Sequence, residues 1–206
     1  WGASGGIGAA LVDKFKAEGW QVYGAARNED NVPAALDAVF PFDAAQPTSI
    51  EQAVYSVAQH TDTVDLVIYA AGGTVSGLLD KLILEQWRAV MDANLNGVYY
   101  AVKASLNLLK EGHVMVLGAY VDKIMFPRMG AYIAAKAAIE PLLAIFQKEN
   151  RKQRFTLVRL PAVDTHFWEN APFKKPQGIL TPQYVANLIY AYHGSGQSGT
   201  LEIPHG

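Results

Sequence analysis

Apolar and polar positions along this chain fall into short blocks whose period switches between that of a strand and that of a helix. After Gly8 an amphipathic helical pattern runs through Glu18 and stops at Gly19. Residues 20–25 read as a strand closed by Ala26 and Arg27, residues 28–37 as a loop and short turn, and residues 38–42 as a short strand. A helix is predicted over 47–59, with Pro47 tolerated in its first turn. Residues 65–70 are a nearly continuous apolar run, as in a strand buried on both faces. A helical pattern over 82–109 is broken near Asn94-Leu95-Asn96-Gly97, and a strand follows at 113–118. After a loop at 119–128, a helix carries Tyr132 to about Lys152, with a kink expected at Pro141. The pattern closes with a strand at 155–160, an irregular flap at 169–180, a helix capped by Thr181 and running to about Tyr192, and a strand at 200–203. Strands alternate with helices throughout, with no repeat and no linker, which predicts one doubly wound α/β domain over residues 1–206.

Composition narrows the function classes. The 206 residues suit one such domain, and half of them are hydrophobic, enough for a large core. The net charge of −2, with no long run of one sign, argues against nucleic acid or an anionic membrane as the main partner. The absence of cysteine removes disulfides, thiolate metal sites and thiol nucleophiles, and fits a reducing, cytoplasmic setting. No apolar run is long enough to span a bilayer. His60, His113, His193 and His205 show no ligand spacing, so no metal is expected.

Three stretches carry candidate chemistry. The opening Trp1-Gly2-Ala3-Ser4-Gly5-Gly6-Ile7-Gly8 leads directly into a helix. Glycines at 2, 6 and 8 let backbone N–H groups approach a phosphate, and the helix start adds partial positive charge. Such a turn can also merely join two elements. A strand should precede it and is not in the sequence, so the expectation is a chain trimmed at its start. Arg27, at the end of the strand at 20–25, stands where a dinucleotide fold would place an acid for the ribose hydroxyls. A guanidinium there suits a 2′-phosphate, with Ser4 as a second donor, and tilts the reading to NADP(H) over NAD(H). Asp43 either faces the adenine or begins the turn before the next helix. In Gly130-Ala131-Tyr132-Ile133-Ala134-Ala135-Lys136, the phenol and the ammonium lie one helical turn apart on one face. A nearby cation favours the phenolate, so Tyr132 is a candidate for proton exchange with an alcohol or carbonyl.

Together these stretches resemble the short-chain dehydrogenase/reductase family over essentially the whole chain. The resemblance rests on Gly2-x3-Gly6-Ile7-Gly8, Ala70-Ala71-Gly72, Asn94-Leu95-x-Gly97, Tyr132-x3-Lys136 and Pro161…Val163-Asp164-Thr165. It implies a Rossmann fold with a seven-stranded parallel sheet and a nicotinamide cofactor across the strand ends. It implies Tyr132 as general acid or base, and Lys136 as the group that lowers the tyrosine pKa and holds the nicotinamide ribose. Asn94 would fix a water in a proton relay to Lys136. Ala71 and Gly72 would lie near the cofactor ribose, and Val163 and Thr165 near the carboxamide.

The departures from the family matter as much. Ala119, after Gly118, stands where the family has the serine that polarises the substrate carbonyl. Tyr120, Thr74 and Ser76 are candidate replacements. Trp1 replaces a threonine that braces the glycine loop, Tyr69-Ala70 replaces a pair of asparagines, and Pro161-Ala162-Val163 is one residue shorter than usual.

Tyr120, Met125, Phe126, Phe167, Trp168 and Phe173 are expected to wall a pocket for a small apolar or aromatic carbonyl or alcohol. His166 either reaches the cofactor phosphates or is solvated. The helices at 96–110 and 130–152 are expected to form a homodimer or homotetramer interface. Two functions remain open: an NADP(H)-dependent oxidoreductase, or an NADP(H)-binding protein with little turnover that acts as a sensor or signalling partner.

Overall fold

The computed structural model describes residues 1–204, so His205 lies outside the described residues. The elements run α1 (Gly6–Ala17), β1 (Tyr23–Ala26), β2 (Ala38–Pro41), α2 (Pro47–Ala58), β3 (Leu66–Tyr69), α3 (Leu84–Met91), α4 (Gly97–Leu109) and β4 (His113–Leu117). They continue with α5 (Gly130–Ala137), α6 (Ile139–Glu149), β5 (Arg154–Arg159), α7 (Pro182–Gly194) and β6 (Gly199–Glu202). This is the α/β alternation expected of the chain, in a single domain.

Local sequence explains the breaks. The long helix containing Tyr132 divides at Ala138, three residues before Pro141. Proline has no N–H to give to the carbonyl four residues back, at Ala137, so the first helix ends there. Between α3 and α4 the chain makes one π-helical turn, Asp92–Asn96. Such an inserted turn swings a side chain out of the helical period, and here it turns Asn94 inward. Thr181 caps α7 by accepting the Tyr184 N–H at 3.2 Å.

Every strand pairing is parallel. β1 pairs with β2, and β3, β4, β5 and β6 pair in that order. All five residues of β4 are buried, which suits its central place with helices on both faces. One cluster packs α2, α4 and α6 on one face of the strands, through residues such as Ile50, Val98, Val102 and Ile139. The other packs α1 and α7 on the opposite face, through Leu11, Phe15, Val185 and Ile189.

In place of the seven-stranded sheet implied by the resemblance, the described residues form six strands, a pair and a quartet. Among the described residues the two meet at Trp1, Gly2 and Ala3. The Trp1 amine donates to the Ile68 carbonyl at 2.8 Å and its carbonyl accepts the Ala70 N–H at 2.9 Å. On the other side the Gly2 and Ala3 N–H groups donate to the Ala25 carbonyl at 2.8 and 3.1 Å. Trp1 and its neighbours thus bridge β1 and β3 at that end.

Candidate active site

Parallel strands deliver their following loops to one edge, where ligands of open α/β folds bind. Four loops meet there. Gly2 has φ +87°, and a Cβ on it would lie 2.6 Å from the Ala71 nitrogen, so the glycine loop touches the turn after β3. A Cβ on Gly6 would lie 3.0 Å from Cγ2 of Thr165, which brings in the loop after β5. A Cβ on Gly8 would run into the Gly2 carbonyl oxygen. Bulk is therefore excluded at 2, 6 and 8, and the start of α1, whose N-cap Gly5 supplies no side-chain cap, keeps its first N–H groups available to an anion. Ser4 and Arg27 are exposed and Ile7 is half-buried.

Asp43 stands in the turn ahead of α2. Its carboxylate accepts the Ala45 N–H at 2.9 Å and the Gln46 side-chain amide at 3.1 Å, ahead of α2. His166 pairs with Glu169 at 2.8 Å on an exposed loop, and Lys175 with Asp164 at 2.9 Å.

The chemical centre lies where Gly72, Asn94, Tyr132 and Lys136 converge. Asn94 is fully buried, and its Nδ2 donates to the Gly73 carbonyl at 2.7 Å and to the Val90 carbonyl at 2.8 Å. Its Oδ1 is buried without a hydrogen-bond partner. An unmet buried acceptor costs about 1–3 kcal/mol, so the arrangement calls for a donor at that point. A Cβ on Gly72 would come within 2.7 Å of that Oδ1 and 3.5 Å of the Lys136 Nζ. The glycine keeps the gap between them open.

Lys136 donates to the Leu117 carbonyl at 2.7 Å. Burial lowers its pKa from 10.5 to about 8. Its Nζ sits 5.9 Å from the Tyr132 ring centroid. Burial raises the Tyr132 phenol well above its ordinary value. Desolvation dominates at the phenol, while the ammonium faces the ring and a backbone carbonyl. The carbonyls of Leu117, Gly73 and Val90, which fix Lys136 and Asn94, left no trace in the sequence, since every residue carries one.

Ala119 follows β4 half-buried and without a hydroxyl. The Tyr120 side chain is held from the last strand's end and from β5. Its OH donates to the Ile203 carbonyl at 2.9 Å, and the Arg159 guanidinium lies 4.7 Å from its ring centre. Thr74 is buried and donates to the Met129 sulfur at 3.8 Å, while Ser76 is exposed. An aromatic wall starts at the candidate acid itself. Tyr132 packs on Phe167 with centroids 5.2 Å apart, Phe167 on Trp168 at 5.5 Å, Trp168 on Phe173 at 5.9 Å, and Phe173 on Phe126 at 5.5 Å. Trp168 is anchored by its Nε1–H to the Val163 carbonyl at 2.8 Å, and the bridge between Val163 and Leu180 closes the flap. Phe126 and Met125 are largely exposed.

Among the described residues no group of acidic, histidine or cysteine side chains is placed to hold a metal, and no helix is long and apolar enough to cross a membrane.

Comparison with known proteins places these features. Residues 1–175 match the short chain dehydrogenase family. An uncharacterised oxidoreductase of Staphylococcus epidermidis is 27% identical over 204 residues, covering 92% of this chain and 87% of the relative. The 3-oxoacyl-[acyl-carrier-protein] reductase of Escherichia coli is 28% identical over 147 residues, covering 67% of this chain and 60% of the relative. Among solved structures, an alcohol dehydrogenase from Thermococcus sibiricus complexed with 5-hydroxy-NADP superposes with a TM-score of 0.89 at 28% identity, covering 98% and 93% of the two chains.

Proposed function

Because this chain belongs to the short-chain dehydrogenase family, we propose that it is an NADP(H)-dependent oxidoreductase acting on a small, apolar carbonyl or alcohol. One observation carries the proposal: the unpartnered Asn94 Oδ1 faces the gap kept open by Gly72, with the Lys136 ammonium on the same gap and Tyr132 beside it. A buried acceptor without a donor, next to a buried cation, has no use in a structural core. It has one in a proton path.

The bare glycine loop fits a dinucleotide. Gly2, Ser4, Gly6, Ile7 and Gly8 would hold the phosphates at the start of α1, and Arg27 with Ser4 the 2′-phosphate. Ala71, Gly72 and Lys136 would hold the nicotinamide ribose, and Val163 and Thr165 the carboxamide. The bound nicotinamide supplies or accepts the hydride. Tyr132 delivers the proton to the substrate oxygen in reduction and takes it in oxidation. Asn94 holds, through its Oδ1, the water that links this proton to Lys136. Asp43, in the turn before α2, would lie near the adenine. The wall of Phe167, Trp168, Phe173 and Phe126 selects an apolar or aromatic group beside the reacting carbon.

Two relatives support the reading from outside. The reductase of Escherichia coli is named for a carbonyl substrate, and the Thermococcus alcohol dehydrogenase carries a modified NADP. A homodimer or homotetramer through α4 and α6 would cover the exposed Tyr99 and Ile145.

The test is a screen of aldehydes, ketones and alcohols with NADPH and NADH, following nicotinamide absorbance. Turnover of an apolar carbonyl with NADPH is expected. Tight NADPH binding with no turnover of any substrate would contradict the oxidoreductase and favour the sensor.

A further inference from the structure

Three strands end side by side at the edge that carries the candidate site. β5 ends at Arg159, which stands opposite Glu202, the last residue of β6. β4 ends at Leu117, opposite Val158. Past Leu117 the chain leaves the regular ladder but keeps two bonds to the β5 side. The Gly118 N–H donates to the Val158 carbonyl at 2.8 Å, and the Tyr120 N–H to the Leu160 carbonyl at 3.3 Å. Amides two residues apart that reach the same neighbouring segment have the spacing of an extended run. In such a run side chains alternate, so the Tyr120 side chain faces one way and the Cβ of Ala119 the other.

Arg159 grips the Tyr120 face at three points. Its Cζ lies over the Tyr120 ring, 4.7 Å from the centre. Its Nη2 donates to the Asp122 carboxylate at 2.5 Å, in the single 3-10 turn Val121–Lys123, and its Nη1 to the Glu202 carboxylate at 3.0 Å. Exposed ion pairs taken singly contribute little. Here the Arg159 side chain is only 23% exposed, against 52% and 60% for its two partners, so the cation is the well-packed member. A planar guanidinium can hold two carboxylates and cover a ring at once, which a lysine ammonium cannot. Tyr120 is fixed a second time. Its OH donates to the Ile203 carbonyl at 2.9 Å, and the Ile203 N–H donates to the Arg159 carbonyl at 3.0 Å. The start of the loop after β4 is thus clamped to both β5 and β6.

We propose that Arg159 is a positioning residue of the candidate site: by clamping Tyr120 and Asp122 on one face of the loop, it sets the direction of the Cβ at position 119 on the other. The proposal rests on the oxidoreductase reading, in which the substrate oxygen would lie near Ala119. Lys136 donates to the Leu117 carbonyl at 2.7 Å, two residues before Ala119, so the same strand end holds the lysine and leads into the clamped segment. Arg159 acts through the backbone of residues 118–120 and touches no reacting atom. Its effect is therefore on how closely a substrate oxygen approaches position 119, and not on cofactor binding. A serine introduced at 119 would depend on the same clamp for its aim.

The experiment compares the parent chain with Arg159→Met, Arg159→Lys and Asp122→Ala, each with and without Ala119→Ser. Amide hydrogen exchange at Tyr120 is the local readout. Steady-state rates with NADPH and the best carbonyl substrate, NADPH affinity and the unfolding temperature complete the set. Arg159→Met is expected to speed exchange at Tyr120 by about tenfold or more. It is expected to lower kcat by about fivefold or more, with NADPH affinity within about twofold of the parent. Arg159→Lys restores less than half of the lost rate, because its ammonium does not hold both carboxylates and the ring. The gain from Ala119→Ser shrinks to about twofold or less without Arg159, since the two positions are coupled. Asp122→Ala, at an exposed position, moves each readout the same way by less and serves if Arg159→Met does not fold. Unchanged exchange at Tyr120, or a kcat equal to the parent's in both Arg159→Met and Asp122→Ala, would overturn the proposal. So would a lower unfolding temperature with full rescue by lysine and an undiminished gain from the serine. Absence of turnover in the parent with every substrate would contradict the oxidoreductase reading instead, and exchange at Tyr120 would then decide the clamp alone.

Discussion

The Lys136 ammonium stands 5.9 Å from the centre of the Tyr132 ring while donating to the Leu117 carbonyl at 2.7 Å. The lysine is thus pinned to the end of β4, and its charge reaches the phenol across the ring. Half-buried beside it, Tyr132 has its pKa raised above the ordinary phenol value by desolvation. This suits a proton donor in reduction. On the proposed function the substrate oxygen would lie near Ala119, which carries no hydroxyl to stabilise developing negative charge.

Restoring that donor tests this directly. Ala119→Ser should raise kcat for carbonyl reduction by roughly tenfold or more, since one such hydrogen bond is worth about 2–4 kcal/mol in the transition state. Initial rates with NADPH and the best substrate from the screen check it. An unchanged kcat would mean that another group already holds the oxygen.

Tyr120 supplies the converse case. Its hydroxyl meets the Ile203 carbonyl at 2.9 Å, so its role is structural. Tyr120→Phe should cost about 1–3 kcal/mol of stability by leaving a buried acceptor unmet. It should leave kcat nearly unchanged. Denaturant unfolding and steady-state rates measured together separate the two effects.

Arg27 at the end of β1 is exposed, as a residue awaiting a phosphate would be. Arg27→Asp should weaken NADPH binding by about tenfold or more and NADH binding far less, because it replaces a charge-assisted contact by repulsion. Titration calorimetry with each cofactor gives the ratio. Equal losses would remove Arg27 from the phosphate site.

How far the sequence carried this account can be seen residue by residue. The strand at His113–Leu117 and the division of the Tyr132 helix were legible because periodicity and Pro141 are local signals. The convergence of Gly2 on Ala71 and of Gly72 on Asn94 was legible only through the family resemblance, since these contacts join distant parts of the chain. The direction of the Tyr120 side chain was not legible at all. It depends on Ile203, 83 positions away, whose backbone carbonyl leaves no mark in the sequence. The expected single sheet is divided into a pair and a quartet among the described residues, with Trp1, Gly2 and Ala3 bonded to both.

Away from the site, His113 and His193 form a close pair. His113 is fully buried. Its Nδ1 lies 3.1 Å from Nδ1 of His193 and its Nε2 2.7 Å from the Thr156 hydroxyl. Burial, with Arg154 and His193 nearby, lowers its pKa from 6.5 to about 3. Below pH 6.5 the unfolded chain binds a proton that the folded chain refuses. Stability is therefore complete above that pH and falls as pH drops toward 3, by up to about 1.4 kcal/mol per unit for this group. His113→Gln should flatten the pH dependence of the unfolding free energy between pH 6.5 and 4. A slope equal to the parent's would assign the acid response to other groups.

The central claim is that Tyr132 moves the proton during hydride transfer. The most direct measurement is the single-turnover rate of Tyr132→Phe with NADPH and the best carbonyl substrate, alongside its NADPH affinity. The phenyl ring keeps the packing on Phe167 and removes only the hydroxyl. The account predicts a fall in rate of about a hundredfold or more, with NADPH affinity within a few-fold of the parent. A rate equal to the parent's, with the cofactor bound as tightly, would contradict it.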